Sequence, residues 1–241
     1  MGQIMFSRLY KLLLSIIIVS STNLTYAADE GIDFLRESNQ VSNEWRLIRH
    51  DKLRNIKAYD KREAGQRIRS FKVEYDVDAS LDDIARVYFD FDNYHRWFYE
   101  LISAKLITKI SPTEFYYYSS HRAPNGLPDR DTIMHSVIEP YNKKRGFARL
   151  TLKSQPHYLP EMPPLVRIPK MNITVTWTPS EKGGIHGVTE GMVDPSGFSP
   201  AWAINYVQRQ APYLTTLAFT RILKHPMYSD SKTMPTFSLH E

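Results

Sequence analysis

Residues 199–223 read SPAWAINYVQRQAPYLTTLAFTRIL, and no other stretch of the chain carries so long a helical pattern. Ser199 and Pro200 give a start signal, a hydroxyl N-cap followed by proline at the first helical position, where a missing N–H costs nothing. Ala203, Val207, Ala211, Leu214, Ala218 and Ile222 then recur at spacings of three and four, so one apolar stripe of mixed small and large side chains faces a core. Pro212 predicts a kink or restart near Gln210.

Almost everything before that helix reads as strand. Phe71, Val73, Tyr75 and Val77 alternate strictly with polar residues, which puts one face in a core and one in water. Further strand patterns stand at 45–48, 56–59, 104–110, 114–120, 132–139, 145–154, 171–178 and 187–193. Turn residues separate them, as in Pro140-Tyr141-Asn142 and Lys182-Gly183-Gly184, and mark an antiparallel meander. A short helix interrupts the series: Ser80 is its N-cap, Asp83 completes a capping box, and Leu81, Ile84, Val87 and Tyr88 form its apolar stripe. The expectation is one α+β domain, a curved antiparallel sheet wrapped around a long C-terminal helix. Two connections exceed simple hairpins, 123–129 and the proline-rich 155–169, and loops of this kind often cover sites.

Residues 1–27 have the layout of a secretory signal peptide: Arg8 and Lys11, an apolar run over 12–19, then small and polar residues ending in Thr25-Tyr26-Ala27. That run is far shorter than the ~20 residues that span a bilayer, so cleavage after Ala27 and a soluble periplasmic protein are expected, with an uncleaved anchor as the alternative. The chain has no Cys, which excludes cysteine lipidation and a disulfide framework and leaves stability to the core. With 241 residues and 42% hydrophobic composition, the sequence can build one large core, expected over 28–228. Ile32, Phe34 and Leu35 suit a short amphipathic helix at its start. The polar tail, 229–241, is expected to be disordered. Formal charge is +5, falling to +3 without Arg8 and Lys11, and basic and acidic residues are interspersed, which argues against a nucleic-acid partner. Lys143, Lys144 and Arg145 form the tightest basic cluster, either a membrane-docking patch or a solvated turn.

The usual catalytic signatures are missing: no glycine-rich phosphate loop, no Gly-x-Ser-x-Gly elbow, no His-Glu-x-x-His and no thiol. Eight histidines are scattered singly, so no metal or other cofactor is expected. His135 lies inside a strand pattern and is either a satisfied sheet histidine or a ligand contact. A sheet bent around a helix can enclose apolar space where the two cannot interdigitate. Ala203, Ala211 and Ala218 would widen such a space, and Trp202, Tyr206, Leu214, Leu217 and Phe219 would wall it. Ordinary packing explains the same periodicity.

Three segments together carry a resemblance: Asp90-Phe91-Asp92-Asn93-Tyr94-His95-Arg96-Trp97, Pro124-Asn125-Gly126-Leu127-Pro128-Asp129-Arg130-Asp131, and the run from Glu190-Gly191 through Asp194-Pro195 to Trp202 and Asn205. In order and spacing, from about Trp45 to Leu223, the chain resembles the START lipid-transfer family. The resemblance implies a helix-grip fold whose tunnel takes a sterol, phospholipid or other lipid, with loop 123–129 and helix 200–223 as the lid, and with binding and carriage in place of catalysis. Arg130, Asp131, Asp194 and Pro195 match family positions read as structural. Met134-His135-Ser136 stands where some members place an arginine, so the polar end of a ligand would be met by His135, Arg149 or water. Arg149 faces either the concave side or the exposed one. The expected ligand-binding set is Tyr117, His135, Arg149, Trp177, Trp202, Tyr206, Leu214, Leu217, Ala218 and Leu127, in a monomer that touches membrane surfaces transiently. Two other readings stay open: a helix-grip enzyme of the aromatase and cyclase kind with His121, Tyr117 and Arg149 in its chamber, and an envelope interaction protein with a filled core.

Overall fold

Ten strands join into one sheet in the computed structural model, which describes residues 42–62, 68–124, 126–181, 183–197 and 199–241. The expected leader over 1–27 and the amphipathic helix at Ile32, Phe34 and Leu35 lie outside the described residues. The strands are β1 (Ser42–Asp51), β2 (Ile56–Arg62), β3 (Ser70–Val77), β4 (Leu101–Ser111), β5 (Glu114–His121), β6 (Arg130–Glu139), β7 (Ala148–Ser154), β8 (Val166–Arg167), β9 (Lys170–Pro179) and β10 (Ile185–Asp194). Their order is β1-β2-β3-β10-β9-β7-β6-β5-β4, antiparallel throughout, with β8 added in parallel beside β6. Helix α1 (Leu81–Tyr88) and a 3-10 turn (Phe91–Arg96) link β3 to β4, and α2 (Ala201–Ile222) and α3 (Pro226–Ser229) follow β10.

Alternation decides which face of the sheet is inside. In β3, Phe71, Val73 and Tyr75 are buried between less buried neighbours, as their spacing predicts. Gly187 lies opposite both Tyr75 and Trp177, and a Cβ there would stand 2.2 Å from the Tyr75 ring, so only glycine leaves that ring room to lie across the sheet. The expected capping box is present: Asp83 N donates to Ser80 Oγ (3.1 Å) and Ser80 N donates to the Asp83 carboxylate (2.8 Å).

Helix α2 departs from its sequence reading in three ways. It starts at Ala201, and the Ser199 hydroxyl donates to Ser196 O (2.9 Å) in place of capping. It runs unbroken through Pro212, because packing on the sheet outweighs one missing backbone bond. Beyond Pro212 its deepest residues are Tyr213, Thr216, Phe219 and Leu223, while Leu214, Ala218 and Ile222 are only half-buried. The buried stripe is thus rotated by about one residue from the expected one.

The tail is also corrected, since residues 229–241 are not a disordered extension. Phe237 and Leu239 are buried, and the Phe237 ring lies 4.3 Å from that of Phe115. Backbone and side chains fix the segment: Tyr141 N donates to Leu239 O (2.8 Å), and Arg86 Nε to Thr233 O (2.9 Å). Two apolar residues among polar ones suffice to hold it, because both enter the core. Among the described residues no helix is long and apolar enough to cross a membrane.

Candidate functional site: a cavity between sheet and helix

The concave face of the sheet and α2 do not close on each other. Between them lies a cavity of about 210 Å³. Leu150, Leu152, Ile173 and Val175, alternate residues of β7 and β9, form its floor. One row of α2 forms its roof: Ala203, Val207, Ala211, Thr215 and Phe219, spaced by four. One end is aromatic. Trp97 of the 3-10 turn's end packs at 5.2 Å from Tyr88, 5.1 Å from Tyr94 and 5.3 Å from Phe219, measured between ring centres. Ala123, Pro124 and Leu127 of the connection before β6 close a side.

Polar groups in the wall are few. Burial raises the phenols of Tyr75, Tyr88, Tyr94 and Tyr117, so each stays neutral, and Tyr94 Oη donates to Tyr88 O. Burial pulls the His121 ring down to about 4, opposed by a hydrogen bond to the Tyr99 backbone, and its Nε2 meets Ser119 Oγ at 3.0 Å. Glu100 and Arg122 face each other at 4.0 Å on the rim, both substantially exposed. Arg130 lines the cavity, yet its donors reach Pro128 O, Pro195 O (3.3 Å), Ser196 O (3.5 Å) and Ser199 Oγ (2.8 Å). It thereby ties the 123–129 connection to the start of α2. Two buried donors of the wall have no partner among the described residues, Trp97 Nε1 and Gln208 Nε2.

Of the ten residues expected from the sequence to contact a ligand, Tyr117 and Leu127 line the cavity. Trp177 is fully buried core, its Nε1 donating to Tyr75 Oη (3.0 Å). Trp202 and Tyr206 point outward, 58% and 50% exposed. Leu214, Leu217 and Ala218 wall a second, more open depression with Arg96 and Arg221, on the other side of Trp97, Phe98 and Tyr99, because the stripe beyond Pro212 is rotated. His135 and Arg149 are corrections of face. On β6, Arg130, Thr132, Met134 and Ser136 share the inner side, so His135 must point out, where it meets Glu114 Oε1 at 2.7 Å and stacks on Tyr116. On β7, Ala148, Leu150 and Leu152 are inner, so Arg149 points out towards Thr176, Glu139 and the Phe147 ring. A reaction chamber of His121, Tyr117 and Arg149 is therefore not assembled. Tyr88, Tyr94, Trp97 and Gln208 were missed; the 3-10 turn has no periodicity to reveal an inner face.

The Arg130-Asp131 pair divides into two roles. Asp131 faces the outer side and pairs with Arg167 through two bonds of 2.9 Å, both side chains almost wholly buried. Arg167 also donates to Pro156 O, Leu159 O and Pro160 O, which fastens the proline-rich 155–169 segment over the outside of β6.

No family model matches the chain. An uncharacterized protein of Pseudomonas aeruginosa is 25% identical over 181 residues, covering 73% of this chain and 85% of that one. Among solved structures, a STAR-related lipid transfer protein from Xanthomonas axonopodis superposes with TM-score 0.68 at 26% identity, covering 75% of this chain and 99% of that chain. Human STARD10 superposes with TM-score 0.65 at 19% identity, over 84% of this chain and 82% of its own. Human StAR-related lipid transfer protein 5 gives TM-score 0.63 at 14% identity, over 85% and 97%.

Proposed function

The chain has a START-like helix-grip fold, and we propose that it encloses one hydrophobic molecule of the lipid class in the cavity under α2 and carries it through the periplasm. The observation that carries this reading is the apolar cavity of about 210 Å³ with an aromatic end and a lid-like side. Keeping an apolar cavity of that size empty costs on the order of 5 kcal/mol at ~24 cal/mol per Å³, a cost that a bound apolar molecule removes. The Xanthomonas protein's description as a lipid transfer protein, at 26% identity over most of this chain, supports the same reading. Export rests on the leader pattern over 1–27.

Membrane contact belongs to this proposal. Trp202 and Tyr206 stand one turn apart and exposed on the first half of α2, beside the connection that Arg130 ties to Ser199. Aromatic side chains of this kind suit a bilayer interface, where one edge is apolar and the other wet. The test is native mass spectrometry of the protein taken from its own envelope, followed by solvent extraction. One lipid per chain is the expected result. A lipid-free protein that also takes up no sterol, fatty acid or phospholipid from vesicles would overturn the carrier reading in favour of a filled core.

A further inference from the structure

Trp97 constrains the chemistry of the cavity's occupant. The residue is 2% exposed, and its Nε1 has no acceptor among the described residues. An indole N–H can only donate, so whatever satisfies it must be an acceptor. The ring cannot turn away, because Tyr88, Tyr94 and Phe219 hold it on three sides at 5.1–5.3 Å. The nearby Tyr94 hydroxyl donates to Tyr88 O and does not accept from the indole. Gln208 Nε2 is a second buried donor without a partner. It lies eleven residues before Phe219 on α2, on the order of 16 Å along the helix axis, so an elongated molecule under α2 reaches both.

Charge in the wall is confined to one cation and one rim pair. The ionic groups in the wall are the rim pair Glu100 and Arg122, and Arg130, whose guanidinium donates to Pro128 O, Pro195 O, Ser196 O and Ser199 Oγ. We propose that the ligand is a lipid whose polar group presents a hydrogen-bond-accepting oxygen, a carbonyl, ester or ether, received by Trp97 Nε1. This rests on the carrier reading above and narrows its cargo.

The experiment uses the delipidated full chain, labelled with nitrogen-15 in its tryptophan indoles, and two probes: methyl laurate and the n-alkane of equal heavy-atom count. The expected result is a downfield move of the Trp97 indole N–H with the ester and not with the alkane. Trp97→Phe, which keeps an aromatic ring in place and identifies the missing resonance, is expected to weaken the ester about tenfold relative to the alkane. If both probes bind and the wild-type indole signal stays put, or if Trp97→Phe weakens both alike, the acceptor assignment is wrong while the cavity reading stands. If neither probe nor any lipid binds, the cavity reading itself fails and takes this one with it. If the variant folds poorly, the wild-type spectrum still tests the assignment, because a spectrum in which none of the four indole N–H signals moves downfield with the ester would overturn it.

Discussion

Replacing Arg167 by Met removes every partner of a buried carboxylate at once. The guanidinium uses all five N–H donors inside the protein: two on Asp131 at 2.9 Å each, and one each on Pro156 O (2.6 Å), Leu159 O (3.0 Å) and Pro160 O (3.0 Å). Side-chain exposure is 3% for Arg167 and 1% for Asp131, so water does not take over when the cation leaves. Breaking a buried pair of this kind costs about 3–5 kcal/mol, chiefly because the remaining charge stays uncompensated. In a domain of this size that lowers Tm by roughly 6–20 °C. Urea denaturation followed by circular dichroism measures the loss directly. Arg167→Lys is expected to fall between, since one ammonium cannot span both the carboxylate fork and three carbonyls. The double variant Arg167→Met with Asp131→Leu is expected to regain most of the loss, because no charge is then stranded. A single variant within about 1 kcal/mol of wild type, or a double no better than the single, would refute the idea that this pair fastens the proline-rich segment.

Phe237→Ala, which empties a site packed against Phe115 and Phe89, is expected to cost about 3–5 kcal/mol in the same urea assay; a loss below 1 kcal/mol would mean the tail does not belong to the core. His121 is held neutral, its ring pulled by burial from 6.5 to about 4, so between those values the unfolded chain binds a proton that the native chain does not. Stability therefore rises with pH across that window and is lost on acidification, by up to about 3 kcal/mol. His121→Gln should flatten the urea midpoint between pH 6.5 and pH 4, and an unchanged slope would remove His121 as the cause. Converting both Trp202 and Tyr206 to Ala should lower vesicle binding severalfold with Tm unchanged, as both side chains are half or more exposed; equal vesicle binding would exclude this face as the contact.

What the sequence revealed depended on whether local spacing alone decides an outcome. Phe71, Val73 and Tyr75 alternate in sequence and are buried in the fold, and Ser80 with Asp83 caps α1, because both are matters of neighbouring residues. Whether His135 or Met134 points inward is decided by the same alternation plus the curvature of the whole sheet, and Met134, the apolar residue of the pair, was the available signal. Asp131 was legible as structural, but its partner Arg167 lies 36 residues away, beyond any local pattern. The polar residues at 229–232 hid the tail's anchors, Phe237 and Leu239. Trp97 closes a 3-10 turn too short to show a period, so its place in the cavity wall came only from the fold.

The position of the cavity follows from side-chain volume along one row of α2. Residues 203, 207, 211 and 215 are Ala, Val, Ala and Thr, and at 219 the row ends in Phe. Four short side chains in line cannot reach Leu150, Leu152, Ile173 and Val175 across the concave face, so the gap runs on the order of 20 Å along the helix. Phe219 closes it, because its ring meets Tyr75, Tyr88 and Trp97 at 5.1–5.9 Å. The same helix thus carries the space and its stopper. Its second half is fixed by Tyr213, Thr216, Phe219 and Leu223 in the core, while its first half shows Trp202 and Tyr206 to solvent. Among the described residues of the first half only Ala203 and Ile204 are buried apolar ones, so the part of α2 over the small residues of the row is the part expected to open at least cost.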